Sequence, residues 1–412
     1  MTTEASPGRA LHLDDYAAVV GQPEVDEIRA IAHYLRGKRV QMVNSTAVGG
    51  GVAEILARLI PLMEEVGVPT RWEVMTGGSE FFAVTKAFHN ALHGAPYDGV
   101  KEWFDEFLAT NEENQRRIKL DADYVVIHDP QPVAMIRSRG VPRNHWIWRC
   151  HIDLSQPNPD VWSFLRPFVE RYDASLFSSP EFTQGLSIPQ YQFAPTIDPL
   201  ADKNKELEPE YVQSVFDRFG IDTKRPIVTQ ISRFDRLKDP VGVIKAYQIV
   251  RKYADCQLVL AGGSASDDPE GNAVLLEARE AAGNDPDIHL LNLPPWSYLE
   301  INALQRGSTI MVQKSLREGF GLTVTEALWK KKPVIAGAVG GILLQVLHKI
   351  TGMLVHSVEG CAYQIRYLLA NPELAKRMGE NGHEHVKENF LLTANLKRYL
   401  ILFSILSRST KG

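Results

Sequence analysis

Two glutamates and a glycine turn form the most specific chemical pattern in the chain. In SLREGFGLTVTEAL (315–328), Glu318 precedes the turn Gly319, Phe320, Gly321, and Glu326 follows one turn into a helix expected to open at Leu322 or Thr323. Carboxylates accept hydrogen bonds from the vicinal hydroxyls of a sugar or ribose, and unpaired amides at a helix start donate to phosphate or hydroxyl oxygens. Attraction of a first-turn glutamate to the helix dipole would account for Glu326 but for neither Glu318 nor the glycines. A second stretch, ISRFDRLKD (231–239), carries Arg233 and Lys238. A forked guanidinium and a mobile ammonium suit two linked phosphates. A solvated loop with Asp235 and Asp239 as surface partners is the plainer alternative. In NSTAVGGGVAEIL (44–56) three glycines, including Gly50 and Gly51, separate an expected strand from an expected helix. That arrangement admits a phosphate to the backbone, or is simply a turn. It does not match G-x-G-x-x-G, and no acidic residue follows at the expected distance, which leaves a nicotinamide dehydrogenase a weak competitor. His151 follows HWIWRC and shares its neighbourhood with Asp129, Arg149 and Asp153, a polar cluster just past expected strands. The one D-x-D, Asp121-Ala-Asp123, precedes a strand, the wrong end for a nucleotide–metal site; a solvated cap is expected there.

These groups need elements to carry them. Short β-rich runs recur at 40–44, 124–128, 145–148 and 175–177, then at 227–232, 257–262, 288–292, 309–313 and 333–337. Amphipathic stretches lie between them, such as VAEILARLIPLMEEVG (52–67), where Ile55, Leu59, Leu62 and Met63 keep to one face. Two βα series predict two doubly wound α/β domains with mostly parallel sheets, and a ligand cleft between them at the strand C-termini. The proline-rich, charged segment 193–210 marks the boundary, and residues after Asn371 read as helix.

Composition narrows the class. The 412 residues are 44% hydrophobic and 23% charged, ordinary soluble usage that supports two or three domains. Forty-five basic against fifty acidic side chains leave a net charge of −5, which argues against nucleic-acid binding through a global positive field. Three scattered cysteines predict neither a disulfide framework nor a zinc site. The N-terminal residues lack a signal-peptide core, and no apolar run approaches the roughly 18 residues of a membrane helix, so a cytoplasmic protein is expected.

The sequence E-G-F-G-L-T-V-T-E, with S-R-F-D-x-x-K upstream and V-G-G (339–341) downstream, resembles the retaining GT-B glycosyltransferases. QMVNSTAVGGGVAEIL, KAFHNALHG (86–94), HDPQP (128–132), WIWRCHIDLSQPN (146–158), TIDPLADKN (196–204) and ASDDPEG (265–271) narrow the resemblance to trehalose synthases of the glycosyltransferring type, over roughly residues 11–400. The resemblance implies a GT-B fold of two Rossmann-like domains: an acceptor-side domain at 1–197, a nucleotide-sugar domain at 198–390, and a final helix at 391–412 that crosses back to the first. It implies reversible, retaining synthesis of trehalose from a nucleoside-diphosphate glucose and glucose. Arg233 and Lys238 would clamp the diphosphate, and Glu326 would hold the ribose. Glu318 and the amides of Gly319, Phe320, Gly321 and Leu322 would hold the donor glucose. Gly50 and Gly51 would close from the opposite domain, and His151 would point toward the anomeric carbon. Asp129 and Asp153 are candidates for the acceptor hydroxyls, and Asn292 and Leu293 for base contacts. No metal is required by visible residues, although Mg2+ can accompany the nucleotide; a homodimer is compatible with the class. A trehalose phosphorylase and a catalytically silent nucleotide-sugar binder are the alternatives. Lys331 departs from the family pattern by standing where a glycine usually turns the chain, and 348–365 lacks the usual acidic turn.

Overall fold

The computed structural model describes residues 12–47, 51–140, 144–263 and 269–409. Gly50 therefore lies outside the described residues. The first sheet contains β1 (Val40–Asn44), β2 (Thr70–Val74), β3 (Tyr124–His128), β4 (His145–Cys150), β5 (Ala174–Phe177) and β6 (Gln190–Gln192), in the order β2-β1-β3-β4-β5-β6. The second contains β7 (Ile227–Ile231), β8 (Gln257–Gly262), β9 (Ile288–Asn292), β10 (Ile310–Gln313), β11 (Val334–Gly337) and β12 (Gly352–Val355), in the order β12-β11-β10-β7-β8-β9. Every pairing is parallel. Central strands β1, β3 and β7 are buried throughout, as helices on both faces of a parallel sheet require. Three strands escaped the sequence pattern. β2 (TRWEV) and β6 (QYQ) are half-exposed edges with polar side chains, and β12 lies within the segment whose sequence departs from the family pattern.

In the second sheet the chain runs outward from β7 through β8 to β9, then returns to lay β10 on the other side of β7. The loops after β7 and β10 therefore flank the point where strand order reverses, the usual ligand crevice of an open α/β sheet. They carry Arg233 and Lys238, and Glu318. In the first sheet β1 and β3 are such neighbours, and β4 delivers His151 beside them.

The helix Gly51–Glu65 buries Leu59, Leu62 and Met63 as its period predicts, but Ile55 faces the cleft rather than the core. Residues 193–199, the start of the stretch 193–210 expected to hold the domain boundary, form a buried strap. Its backbone is satisfied in part by the other chain crossing: the Ile197 N–H donates to the Phe390 carbonyl, and the Leu392 N–H donates to the Ile197 carbonyl, both at 2.9 Å. The final helix, Leu392–Ser409, then packs on the first domain, burying Leu396, Leu400, Phe403 and Leu406 beside Leu13, Tyr16 and Val25. At about 1.5–3 kcal/mol per buried side chain, this face is a strong anchor. The Tyr124 hydroxyl donates to the Phe403 carbonyl at 2.9 Å, and Lys397 pairs with Glu24 and Glu27.

Lys331 adopts a left-handed conformation (φ 59°) and its side chain is exposed. A glycine there removes the Cβ penalty without sacrificing a contact. Lys331→Gly is expected to stabilise the protein by about 0.5–1 kcal/mol, read as a higher urea midpoint at unchanged slope.

Candidate active site

A cleft of about 750 Å3 opens between the C-terminal ends of the two sheets. On the second-domain side, the loop after β7 is shaped by Asp235, whose Oδ1 accepts from the Leu237 N–H at 2.7 Å. Gln230 Nε2 donates to the Lys238 carbonyl at 2.7 Å, which fixes the loop's far end. Lys238 Nζ lies 2.5 Å from Glu318 Oε2, and the Ser315 hydroxyl donates to the same oxygen at 3.2 Å. Asp239 is no partner for either clamp cation: it pairs with Lys314 and caps the next helix by accepting from the Gly242 N–H at 3.0 Å. Arg233 is the loose member. Its side chain is 63% exposed and, among the described residues, its ion pair is with Asp235, at 3.5 Å, which leaves the guanidinium available to an anion.

The turn after β10 is held by close backbone approaches. A Cβ on Gly340 would stand 1.8 Å from the Glu318 carbonyl oxygen, and one on Gly319 would stand 2.9 Å from that of His151. The helix Leu322–Trp329 follows and buries Glu326, which accepts from Gln305 Nε2 at 3.1 Å. Lys203, from the interdomain segment, lies 3.7 Å from Glu326 and 3.0 Å from Glu54 of the first domain. Burial opposes the Lys203 charge, but Glu326 and Glu54 outweigh it and hold the ammonium above its usual range.

The first-domain wall contains His151, whose backbone N–H donates to Asp129 Oδ1 at 2.7 Å. Asp129 itself is left-handed (φ 65°), and its carbonyl accepts from Trp148 Nε1 at 3.0 Å. Burial pushes the Asp129 carboxyl up to about 6, against the pull of the His151 N–H and Arg149. Burial also drives His151 well below the usual imidazole range, with Arg149 and His128 adding to the effect. Beside it, the helix Ser79–Leu92 buries Phe81, Val84 and Phe88 and turns Lys86, His89 and Asn90 into the cleft, with His93 at its C-terminal end. Arg317 crosses from the second domain to donate to the His93 carbonyl.

The fold thus gathers Gly51, His151, Arg233, Lys238, Glu318, the turn Gly319–Leu322 and Glu326 around one space. It does not bring four others there. Asp129 sits behind His151 as its support, and Asp153 is buried, accepting from the Ser155 N–H at 2.9 Å. Neither presents a carboxylate to the cleft, because both sit behind its wall. Asn292 ends β9, the edge strand three places from β10, Leu293 follows it, and both lie outside the cleft lining. Sequence reasoning missed Lys86, His89, Asn90, Lys203 and Arg317. The first three were legible as a polar i, i+3, i+4 stripe within KAFHN; the other two had no such signal. Asp121 and Asp123 sit at the N-terminal end of β3, paired with Arg71 at 2.7 Å and Lys38 at 2.9 Å. Among the described residues no group of three His, Cys, Asp or Glu could hold a metal, and no helix is long and apolar enough to cross a membrane.

Two doubly wound parallel sheets facing across a cleft, with the anion-suited loops at the switch point of the second, make this a glycosyltransferase of the GT-B fold. A crystal structure of α,α-trehalose 6-phosphate synthase from Burkholderia multivorans superimposes with a TM-score of 0.71, over 91% of this chain and 98% of that one, at 14% identity. Residues 42–184 match the N-terminal domain of trehalose synthase, and residues 213–385 match the group 1 glycosyl transferases. Trehalose synthase of Pyrococcus horikoshii is 44% identical over 96% of both chains. The chain belongs to the trehalose synthase family. A trehalose phosphorylase of Pleurotus pulmonarius is 28% identical over 97% of this chain but only 61% of its own length.

Acid should destabilise the cleft wall. Burial lowers His89 to about 3, with His93, Lys86 and Arg233 adding repulsion. Between its ordinary 6.5 and that value the unfolded chain binds the proton more tightly. Its contribution to stability is therefore present above 6.5 and lost as pH falls toward 3. Denaturant unfolding across about pH 6 to pH 4 is expected to show a slope that His89→Gln reduces by about one proton.

Proposed function

We propose that the protein is a retaining glucosyltransferase that makes trehalose, reversibly, from a nucleoside-diphosphate glucose and free glucose. The observation that carries this reading is the convergence of Arg233, Lys238, Glu318 and the Gly319–Leu322 turn on one cleft facing His151. In this reading Arg233 and Lys238 take the diphosphate, with Lys238 exchanging part of its contact with Glu318 for phosphate oxygens. The held Lys238, the looser Arg233 and the turn amides stabilise the charge that develops as the phosphate leaves. Glu318 accepts from hydroxyls of the donor glucose, and Glu326 from the ribose. Gly51 lets the first domain close against Leu322, whose Cδ1 would stand 3.2 Å from a Cβ at that position. Lys86, His89 and Asn90 offer the free glucose a polar wall, the role once expected of Asp129 and Asp153.

Retention needs a carboxylate nucleophile or same-face attack guided by the leaving group. The cleft's carboxylates are Glu54, Asp235, Glu318 and Glu326, and each is engaged by a cation or a backbone amide. That engagement favours same-face attack. Magnesium, where used, would arrive with the nucleotide. We assign the enzyme to the cytoplasm, where nucleotide sugars are made. A homodimer is the assembly to seek by sedimentation.

Trehalose formation from glucose and a panel of uridine, adenosine and guanosine diphosphate glucoses, followed by NMR, is the direct assay. Trehalose from at least one donor is expected, and none from any would refute the reading. Release of glucose 1-phosphate from trehalose and phosphate, without nucleotide, would favour the phosphorylase instead. Glu326→Ala is expected to weaken nucleoside diphosphate binding by about 10- to 100-fold, since a charged hydrogen bond is worth about 1.5–3 kcal/mol. Lys203 keeps Glu54 as its partner in this variant, and calorimetry reads the result.

A further inference from the structure

Behind His151 lies a chain of polar groups that the proposed reaction does not use. β3 and β4 are in register with His128 opposite Arg149, so the two side chains leave the sheet side by side. His128 Nδ1 lies 3.2 Å from His151 Nε2, and the two rings are inclined by only 15°. His128 is 2% exposed and so is Arg149. Arg149 Nη2 donates to Ser178 Oγ and to the Phe193 carbonyl. On these two side chains one buried atom each has no partner among the described residues: His128 Nε2 and Arg149 Nη1. Both side chains, with His151, line a void of about 10 Å3 closed by Pro195, Asn395 and Tyr399. That is about the room one water needs, in a site with polar groups to hold it.

We propose that this chain fixes the tautomer of His151, so that it meets the cleft as a neutral N–H donor and not as a general base, with His128 as its positioning residue. The direction follows from Arg149, whose guanidinium can only donate. A water in the void accepts from Arg149 Nη1 and donates to His128 Nε2; without the water, the bare Nε2 lone pair faces the cation. The opposite tautomer would turn an N–H dipole toward the cation that already acts on the His128 ring. His128 therefore carries its proton on Nδ1 and donates to His151 Nε2. A neutral His151 must then hold its own proton on Nδ1, the nitrogen left for the cleft. The charged and titratable groups around the rings support neutrality. Arg149 repels a second cation, and the Asp129 carboxylate is spent on the His151 backbone amide. Burial raises Tyr399 to about 12, so it stays protonated.

This inference rests on the transferase reading for its consequence. An N–H donor can support a sugar oxygen, but it cannot remove the acceptor's proton. As the bond from the anomeric carbon to the phosphate oxygen breaks and the bond to the acceptor oxygen forms, the departing phosphate oxygen, which lies on the reacting face, is then the acceptor for that proton.

Long-range 1H–15N spectra of the full-length protein labelled at histidine nitrogens test the inference directly, with His151→Gln to assign the resonance. Both His128 and His151 are expected as Nδ1–H tautomers, the minority form of free histidine. His151 protonated on Nε2 would overturn the inference. Kinetics supply a second readout. The amide of His128→Asn overlays Nδ1 and still donates to His151, so kcat is expected to stay within about threefold. The carboxylate of His128→Asp only accepts, which reverses the tautomer. It is expected to lower kcat by about 100-fold, the usual effect of a lost transition-state donor, and to add an acid limb to the pH profile. Equal kcat and equal profiles for the two variants would also overturn it. If the aspartate variant does not fold, the wild-type spectrum decides alone. An Nδ1–H His151 in a protein that makes no trehalose would leave the inference standing and the transferase reading refuted.

Discussion

The two places where the chain passes between the domains are hydrogen-bonded to each other. Ile197 and Leu391 form an isolated parallel bridge, so the outgoing and returning strands meet at one pivot. Two backbone hydrogen bonds contribute only about 1 kcal/mol each, too little to hold two domains together. Their importance is positional. The helix that starts at Leu392 is released directly onto the first domain, and its buried apolar face supplies the anchoring energy. With the pivot fixed there, the strand C-termini of the two sheets face one another, and the loops after β4, β7 and β10, with Gly51 at the helix start beyond β1, border the cleft.

The cleft is held in a balanced but unrelaxed electrostatic state. Glu54 is exposed, but Lys238 with Glu318, and Lys203 with Glu326, are pairs with little solvent around them. Buried pairs of this kind recover in Coulomb energy roughly what they lose in desolvation, which makes them poor explanations of stability. They are good explanations of readiness. Each carboxylate is aimed by a cation within salt-bridge reach, while Arg233 is largely exposed at the mouth. Lys203 lies within salt-bridge reach of Glu54 and Glu326, so any ligand that engages Glu326 also acts on a contact between the domains.

The polar groups behind the walls divide the work differently. Asp129 sets the backbone of His151, His128 meets its ring, and Arg149 ties the pair to the strap at Phe193. The wall's geometry thus depends on the same buried segment that carries the pivot. A change of domain angle and a change at His151 share a physical connection through Phe193 and Pro195.

Much of this was written locally. A strand buried on both faces must be a short run of apolar residues, so β1, β3, β7 and β8 declared themselves, and the alternation with amphipathic helices dictated parallel sheets. The placement of Glu318, Glu326, Arg233 and Lys238 at the cleft was legible because they stand in turns and helix starts just past strand ends. Lys331 announced its left-handed turn by occupying a glycine's place. The edge strands β2 and β6 were hidden because an edge needs no apolar run. Which polar side chains face the cleft was decided only by the tertiary structure. A carboxylate such as Asp129 has the same local pattern whether it meets ligand or supports a neighbour. Lys203 and Arg317 acquire partners only when distant segments are brought within a few ångströms. Local sequence records the period and the turn, whereas the side of a wall on which a polar group ends depends on the packing of everything behind it.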